Sequence, residues 1–230
     1  MIRIGWDISH REFTIRDYYY FSKLYDTLIS LGAVVEELMD IRNINGYDVA
    51  VFNYPEEPFN NEERRIIRRF VEQGGRVIIL GYFRNEDHIA DAINSLAIDF
   101  GVILLADEVI DPVNSLDPKG LFLITSRILH YNQGVNKILL PCTASLRIIS
   151  NGVHPIVYTE ETAFSKQNGR APPVFARVQI GKGEMIIGGS CVFWDNYSIE
   201  KFDNKKFAMN LLLGRTMIVE EQYATEAHYY

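Results

Sequence analysis

Residues 60–81 read NNEERRIIRRFVEQGGRVIILG and place a helix, a helix stop and a strand in direct succession. Asn60 is a favoured N-cap residue, and Glu63 three positions later completes a capping box. Apolar residues then recur at three- and four-residue spacing until the glycine pair that begins at Gly74, where a helix ends readily. The apolar run at 76–80 predicts a buried strand, so this stretch predicts one helix-strand unit of an α/β fold.

The same succession recurs along the first hundred residues. Short apolar runs flanked by turn residues alternate with segments whose apolar residues have helical spacing. The predicted strands are Ile2–Trp6, Val34–Leu38 and Asp48–Asn53, and the further predicted helices are Asp17–Leu31 and Asp87–Phe100. Alternating strands and helices are typical of a mostly parallel sheet with helices on both faces. We therefore predict the α/β class with a flavodoxin-like, doubly wound sheet.

The second half of the chain is patterned less regularly. Residues 112–172 contain many Pro, Asn and Gly residues among short apolar runs, which predicts an additional region of hairpins and irregular loops. Strict alternation at Val174–Ile180, a glycine-rich turn and the run Met185–Gly188 then predict a hairpin. Asp203–Leu213 predicts a last helix.

Length and composition predict one domain over residues 1–214 and a loose, acidic, tyrosine-rich tail at 215–230. The 47% hydrophobic content is ordinary for a globular core. A net charge of −7 argues against a nucleic-acid partner, because phosphate binding requires clustered Lys and Arg. Neither a secretory signal nor an apolar run of the ~18 residues that a transmembrane helix requires is recognisable. With only Cys142 and Cys191 present, no disulfide framework is expected, and we predict a cytoplasmic location without membrane contact.

Polar residues follow the predicted strands, at the edge where parallel sheets bind ligands. Loops after neighbouring strands meet beyond the carboxyl ends of an open α/β sheet. The candidate ligand-binding residues in these loops are Asp7, Ser9, His10, Tyr82, Arg84, Asn85, Ser190, Trp194, Asp195 and Asn196. We expect them to converge on one rim that binds a small polar ligand or a protein partner. Glu12 lies in the first of these loops and has no role assigned to it.

Asp7, Ser9 and His10 have two interpretations. A carboxylate and an imidazole two or three residues apart can form an acid/base pair or hold a metal ion. Such residues also commonly accept hydrogen bonds from loop amides while the histidine is solvated, and we favour this interpretation. Asp195 and His88 add enough ligand types for a divalent metal, but no ligand-spacing motif supports one. No metal site is therefore predicted, and no particular cofactor is indicated.

Arg84 and Asn85 directly precede a predicted helix. The free amides and the dipole of a helix N-terminus favour an anion such as a phosphate or a carboxylate, and an arginine adds to this preference. Alternatively, Arg84 forms a weak surface ion pair with Glu86 or Asp87. The two interpretations carry equal weight.

Three consecutive tyrosines, Tyr18, Tyr19 and Tyr20, begin the first predicted helix. Tyr20 continues the apolar stripe of that helix, whereas Tyr18 and Tyr19 are expected to point elsewhere. Exposed tyrosines anchor interfaces at low entropic cost. The pair is therefore a candidate carbohydrate or partner surface and, together with the tail, a candidate interface for a homo-oligomer.

The order of the loop motifs resembles that of a known family. DISHREFT at 7–14, GGRVIILG at 74–81 and the segment from Gly181 to Ser190 resemble class I glutamine amidotransferase-like domains, and the resemblance covers most of the chain. Within that superfamily the chain is similar to the branch that includes the amino-terminal domain of an intraflagellar-transport subunit and prokaryotic proteins of unassigned role. The resemblance implies a scaffold role, and sugar-related members of the superfamily imply carbohydrates as substrates of any enzyme.

The resemblance also implies where a nucleophile is missing. True amidotransferases of this fold carry a cysteine on the sharp turn after the central strand and pair it with a later histidine and glutamate. Here Tyr82 or Phe83 occupies that position, and the late segment 188–193 contains no histidine. Glutamine hydrolysis by that route is excluded.

Two functions follow as hypotheses. The first is a non-catalytic amidotransferase-like module that binds a small polar ligand or a protein partner at the rim formed by residues 7–10, 82–85 and 190–196. The alternative is a hydrolase of the same fold, acting on a carbohydrate or an ester, that uses Asp7, His10 and Asp195 as catalytic residues, alone or around a metal.

Overall fold

The structure is a computed structural model and describes residues 1–214. Its helices are α1 (Tyr18–Ser30), α2 (Asn61–Gln73), α3 (Ile89–Ala97) and α4 (Asn204–Leu213), with 3-10 turns at Ile41–Gly46, Phe83–His88 and Ile98–Phe100. Its strands are β1 (Arg3–Asp7), β2 (Val34–Leu38), β3 (Val49–Asn53), β4 (Arg76–Leu80), β5 (Val102–Leu104), β6 (Val109–Ile110), β7 (Phe122–Thr125), β8 (Ile138–Pro141), β9 (Leu146–Ile148), β10 (Val153–Tyr158), β11 (Phe164–Ser165), β12 (Gly169–Arg170), β13 (Pro173–Ile180) and β14 (Gly183–Gly188).

A seven-stranded, mostly parallel sheet forms the centre of the fold, in the order β10-β13-β14-β4-β3-β1-β2. The strands β14, β4, β3, β1 and β2 pair in parallel, and the pairings of β13 with β14 and with β10 are antiparallel. Leu80 pairs with Asn53 on one side and with Gly188 on the other, so three strands end level with one another. The predicted α/β class with a mostly parallel sheet is confirmed.

Helix α2 forms as its sequence predicts. The Asn60 side chain accepts hydrogen bonds from the backbone amides of Glu62 and Glu63, and the Glu63 carboxylate accepts from the Asn60 amide at 2.7 Å. The helix ends at Gly74, whose φ of 120° favours glycine. A Cβ atom on Gly75 would lie 2.4 Å from the Phe70 ring, so the turn into β4 requires a second glycine.

The core lies on both faces of the central strands. All five residues of β3 are buried, as expected for a strand covered on both faces. Large aromatic rings fill the space near the carboxyl ends: Trp194 stacks on Phe193 with ring centroids 4.9 Å apart and lies 5.5 Å from Trp6. None of the helices within residues 1–214 has the length and hydrophobicity needed to cross a membrane.

The third predicted helix, Asp87–Phe100, is wrong at its start, whereas helical structure ends at Phe100 as predicted. Asp87 and His88 have φ of 52° and 63°, so the α-helix begins only at Ile89, and its last turn is a 3-10 turn. The Asn85 side chain explains the late start, because its Oδ1 accepts from the Ala90 amide at 2.8 Å. A side chain four residues upstream of the helix therefore caps it.

The region at 112–172 contains more sheet than its sequence indicates. Strands β7 and β8 form an antiparallel pair, β9 pairs with β5, and β11 joins β6 to β12. Strand β10 extends the central sheet as an edge strand with irregular register around Pro155. Proline is tolerated at a sheet edge, but it interrupts the residue pattern by which a strand is recognised in the sequence. The predicted tail at 215–230 lies outside the described residues.

Candidate functional site

Loops from four strands meet at the carboxyl edge of the sheet. The Trp194 indole after β14 donates to the Asn53 side chain at the end of β3, with Nε1 and Oδ1 3.1 Å apart. The Glu56 amide after β3 donates to the His10 carbonyl after β1 at 2.9 Å. The rings of Tyr54 and Tyr82, after β3 and β4, lie 5.7 Å apart. These contacts define the rim.

Asp7, Ser9 and His10 form a hydrogen-bonded cluster below the rim. Nδ1 of His10 lies 2.7 Å from Oδ2 of Asp7, and the Ser9 hydroxyl donates to Oδ1 of Asp7 at 2.8 Å. Ser9 and Asp7 both approach His10 from its Nδ1 side, because Ser9 Oγ is 3.2 Å from the same nitrogen. The three residues therefore do not form a relay in which histidine activates the serine. His10 is buried, which contradicts the expectation of a solvated imidazole.

Glu12 joins this cluster, and the sequence carried no signal for its role. Its Oε2 accepts from the His10 amide at 2.9 Å, while its Oε1 is buried and has no hydrogen-bond partner among residues 1–214. Burial, and next the adjacent Asp7 carboxylate, raise the pKa of Glu12 to about 10. At neutral pH in the absence of a bound cation, Glu12 is therefore protonated.

His10 is enclosed by aromatic rings and a second carboxylate. Its ring centroid lies 4.2 Å from that of Phe59, and Nε2 is 3.5 Å from Oε2 of Glu63, the glutamate of the α2 capping box. Burial opposes the charged imidazolium, but the hydrogen bond and charge of Asp7, with help from Glu63, outweigh it and raise the pKa of His10. Asp7 therefore favours the protonated form of the imidazole.

Asp195 does not join Asp7 and His10. Its carboxylate accepts from the backbone amides of Ser198 at 2.8 Å and Tyr197 at 3.1 Å, which closes its own loop. Burial raises the pKa of Asp195 although these amides oppose the shift. The combination of Asp7, His10 and Asp195 that the hydrolase hypothesis requires is therefore not hydrogen bonded together within the described residues.

The other candidates after β14 have structural contacts. The buried Ser190 hydroxyl donates to the Pro141 carbonyl at 2.6 Å. The Asn196 amide group donates to the carbonyls of Tyr18 and Tyr19 at 3.0 and 2.8 Å, and its Oδ1 accepts from Lys23. Asn196 therefore attaches this loop to the first turn of α1. With Trp194 also buried, the loop offers few free polar groups to a ligand.

The turn after β4 carries no nucleophile. A Cβ atom on Gly81 would lie 2.3 Å from the Leu104 side chain, so a larger residue there would have to displace that side chain. Tyr82 follows Gly81, and the buried Phe83 donates its amide to the Cys142 carbonyl at 3.1 Å. Burial raises the pKa of the Cys142 thiol and, well above its ordinary value, that of the Cys191 thiol. Both shifts disfavour the thiolate form.

Arg84 and Asn85 also contact protein groups. Nε of Arg84 donates to Oε2 of Glu108 at 2.6 Å, so its partner is neither Glu86 nor Asp87. Asn85 caps α3 and donates to the Asp91 carboxylate at 3.0 Å. The contact with Glu108, 24 residues away, was not predicted from the sequence.

Exposed aromatic residues lie beside the rim and form what we call the aromatic patch, Phe13, Tyr18, Tyr19 and Tyr20. Their exposed fractions are 43%, 85%, 78% and 38%. The Tyr20 ring lies 5.2 Å from that of Phe13 and 5.0 Å from that of Tyr19, and Phe13 is 5.7 Å from Tyr54 on the rim. The expectation that Tyr20 completes the buried stripe of α1 is wrong, because its ring packs on these surface neighbours instead.

The architecture defines a mixed α/β protein with a mostly parallel central sheet and a buried polar cluster at its carboxyl edge. The chain belongs to the family described as "Domain of unknown function (DUF4350)", which matches residues 21–212. It is 44% identical over 221 residues to an uncharacterized protein of Aquifex aeolicus (strain VF5), an alignment that covers 92% of this chain and 93% of the relative.

Solved structures share the fold at low sequence identity. The mmIFT52 N-terminal domain superposes with a TM-score of 0.77 at 18% identity, covering 90% of this chain and 95% of that domain. A beta-galactosidase from Bacillus circulans sp. alkalophilus matches with a TM-score of 0.54 at 14% identity, covering 95% of this chain but 31% of the enzyme. These likenesses concern the fold alone.

Proposed function

We propose that this chain is a non-catalytic, class I amidotransferase-like domain of flavodoxin-like topology that binds a protein partner at the rim through the aromatic patch. The fold likeness to the mmIFT52 N-terminal domain supports this architecture. The absence of a nucleophile at Tyr82 and Phe83 and the raised thiol pKa values of Cys142 and Cys191 argue against amidotransferase chemistry.

The polar rim groups favour a protein over a small polar ligand. A small-molecule site needs a few convergent polar groups that are free to contact the ligand. Asp7, His10 and Ser190 are buried, and Arg84 and Asn196 are engaged with Glu108 and with α1. Few polar groups that the sequence assigned to ligand binding therefore remain to orient a small molecule.

The aromatic patch is the observation that carries the proposal. Tyrosine and phenylalanine are enriched at protein interfaces, because a rigid ring buries a large area at low entropic cost. Four such residues are exposed beside one edge of the sheet, and the rings of Phe13, Tyr20 and Tyr19 form a continuous row of contacts. Asn196 holds the backbone beneath Tyr18 and Tyr19 through their carbonyls, so the side chains are presented from an ordered turn.

Site-specific photo-cross-linking tests the proposal. A photoreactive phenylalanine analogue replaces Tyr19 in one sample and Phe164, an exposed aromatic residue outside the patch, in the control. We expect a discrete protein adduct only at position 19, and the double variant Tyr18→Ser/Tyr19→Ser should weaken the purified complex at least about tenfold. The substitutions spare the carbonyls that Asn196 binds. An adduct pattern shared by both positions, or an unchanged affinity, contradicts the proposal.

The identity of the cross-linked molecule distinguishes a protein partner from a second copy of this chain and from a small ligand. A second copy of this chain would make the patch a homo-oligomer interface, which light scattering of the double variant then checks. A stoichiometric small molecule in the native mass spectrum, with no patch-dependent adduct, would instead support the small-ligand version of the binding module.

A hydrolase is the second candidate function, and the 2.7 Å hydrogen bond between Asp7 and His10 favours it, since such a pair can act as a general base. The burial of His10 and the separate position of Asp195 argue against it. A panel of glycosides and esters tests this alternative. Turnover that is lost in His10→Gln and kept in His88→Gln would support it.

A further inference from the structure

Three potential metal ligands are buried together at the end of β1. Asp7, His10 and Glu12 have exposed fractions of 0%, 3% and 7%. One ligand atom from each residue lies within 4.8 Å of the corresponding atoms of the other two. The three residues come from one six-residue segment, so the loop after β1 alone brings them together.

Charge and hydrogen bonding leave this cluster incomplete. Two carboxyl groups and an imidazole share a space from which solvent is excluded, so both carboxyl groups can be ionised there only with a cation beside them. Oε1 of Glu12 has no hydrogen-bond partner among the described residues, although its residue is more than nine-tenths buried. A buried oxygen without a partner indicates a missing proton donor or a missing cation.

We propose that Asp7, His10 and Glu12 bind one divalent transition-metal ion, with zinc as the fitting ion. Zinc accepts mixed imidazole and carboxylate ligands in sites of four ligands, whereas calcium takes six to eight oxygen ligands and magnesium a near-ideal octahedron. Three protein ligands leave a position for water. Binding releases the proton of Glu12 and the Nδ1 proton of His10 to solvent, and the ion then compensates the two carboxylates and provides a partner for the Glu12 oxygen that lacks one among the described residues.

The pair of Asp7 and His10 needs only a small adjustment for this ion. Two ligands each about 2.1 Å from a tetrahedral zinc are roughly 3.4 Å apart. Nδ1 of His10 and Oδ2 of Asp7 are 2.7 Å apart, so, if both bind the ion, their hydrogen bond opens by a fraction of an ångström. Because the His10 carbonyl also accepts from Glu56, the bound loop stays attached to the segment after β3. The ion's structural role is to hold the loop after β1, and this inference does not depend on partner binding.

Zinc binding to untagged, chelator-treated protein tests the proposal. Isothermal titration with zinc chloride and elemental analysis after gel filtration should both give one ion per chain. We expect Asp7→Asn, His10→Gln and Glu12→Gln each to weaken zinc binding at least about 100-fold. X-ray absorption at the zinc edge should show one imidazole with oxygen ligands. Magnesium and calcium should bind far more weakly.

The exposed pair His88 and Asp91 supplies a matched control. Its side chains have the same i,i+3 spacing as Asp7 and His10, with Nδ1 and Oδ2 3.4 Å apart, but both are solvated. His88→Gln and Asp91→Asn should leave zinc binding unchanged. Absence of stoichiometric zinc in the folded wild type, or zinc binding that Glu12→Gln and Asp7→Asn retain, overturns the proposal. The isosteric Glu12→Gln variant keeps the test valid if other variants fail to fold.

Discussion

Trp194 and Asn53, 141 residues apart in the sequence, share a buried hydrogen bond of 3.1 Å between indole Nε1 and side-chain Oδ1. The bond joins the loop after β14 to the end of β3 across the intervening β4. Both side chains are shielded from water, so neither group has solvent as an alternative partner. This contact adds a side-chain link between two sides of the rim to the backbone pairing of β14 and β3 with β4.

Loss of the indole donor should destabilise the fold. Trp194→Phe leaves Oδ1 of Asn53 buried without this partner and removes packing against Trp6, and we expect a loss of about 2–4 kcal/mol in the free energy of unfolding. Urea denaturation measures this change in the free energy of unfolding. Tyr197→Phe, a substitution at an exposed aromatic residue, should change it by less than about 0.5 kcal/mol. Equal effects of the two variants would contradict the assigned role of the bond.

The stability of the metal-free protein should fall as the pH rises. Glu12 has an ordinary pKa of 4.5 and a folded-state pKa of about 10, so the folded chain binds this proton more tightly. Stability is therefore greatest below pH 4.5 for this group and is lost progressively towards pH 10. The pKa of His10 is raised too, which adds a loss in the same direction.

Glu12→Gln should flatten this pH dependence. Urea unfolding in chelator at about pH 5.5 and 8.5 should show wild type losing on the order of 1–3 kcal/mol more than the variant between the two values. Glu62→Gln, at an exposed position of α2, should behave like wild type. A Glu12→Gln profile as steep as that of wild type would show that Glu12 is already ionised in the fold.

Asp7 should control the titration of His10. Because burial lowers the pKa of an imidazole and Asp7 is the main group that raises it here, Asp7→Asn should move the His10 pKa below its value in the wild type. Two-dimensional NMR of the histidine ring nitrogens in metal-free protein follows the titration. Asp91→Asn, in the exposed pair of His88 and Asp91, should leave the pKa of His10 unchanged. A fall of similar size in this variant would show that the effect is not specific to Asp7.

Glu184 should stabilise the opposite edge of the sheet. Its carboxylate accepts from Arg76 Nε at 2.8 Å and from the Tyr131 hydroxyl at 2.6 Å, and all three side chains are largely shielded. Glu184→Ala leaves the arginine without its main charge partner, and we expect a cost of about 3 kcal/mol in urea unfolding. The exposed pair of Arg68 and Glu72 is the control, since Glu72→Ala should cost less than about 1 kcal/mol. Comparable losses of stability in Glu184→Ala and Glu72→Ala would contradict this difference between a shielded and an exposed ion pair.

Local signals predicted much of the sheet and its helices. The strands at Val34–Leu38 and Arg76–Leu80 have their predicted bounds, and α2 has its predicted cap and stop. Each signal acts over a few residues, through capping, periodicity or a left-handed glycine. Strand β10 gave no such signal, because Pro155 interrupts its pattern and β13 provides its partner.

The sequence predicted where the candidate site lies better than it predicted which residues form it. Strand ends placed Asp7 and His10 at the carboxyl edge, and the missing cysteine at Tyr82 was visible in the sequence. The participation of Glu12 was not visible in the sequence, because an acidic residue in a loop is ordinarily solvated. Its burial depends on what packs over the loop, including Phe59 against His10.

The sequence by itself determined the α/β class, membership of the DUF4350 family and the lack of a cysteine or serine at positions 81–85, because periodicity and residue identity are properties of the chain. Only the tertiary structure decided which polar side chains are buried and which are bound elsewhere. Asn196 meets the carbonyl of Tyr18 across 178 residues, and Arg84 meets Glu108 across 24. Burial and pairing of this kind arise from contacts between distant segments, and these set the charge and accessibility on which function depends.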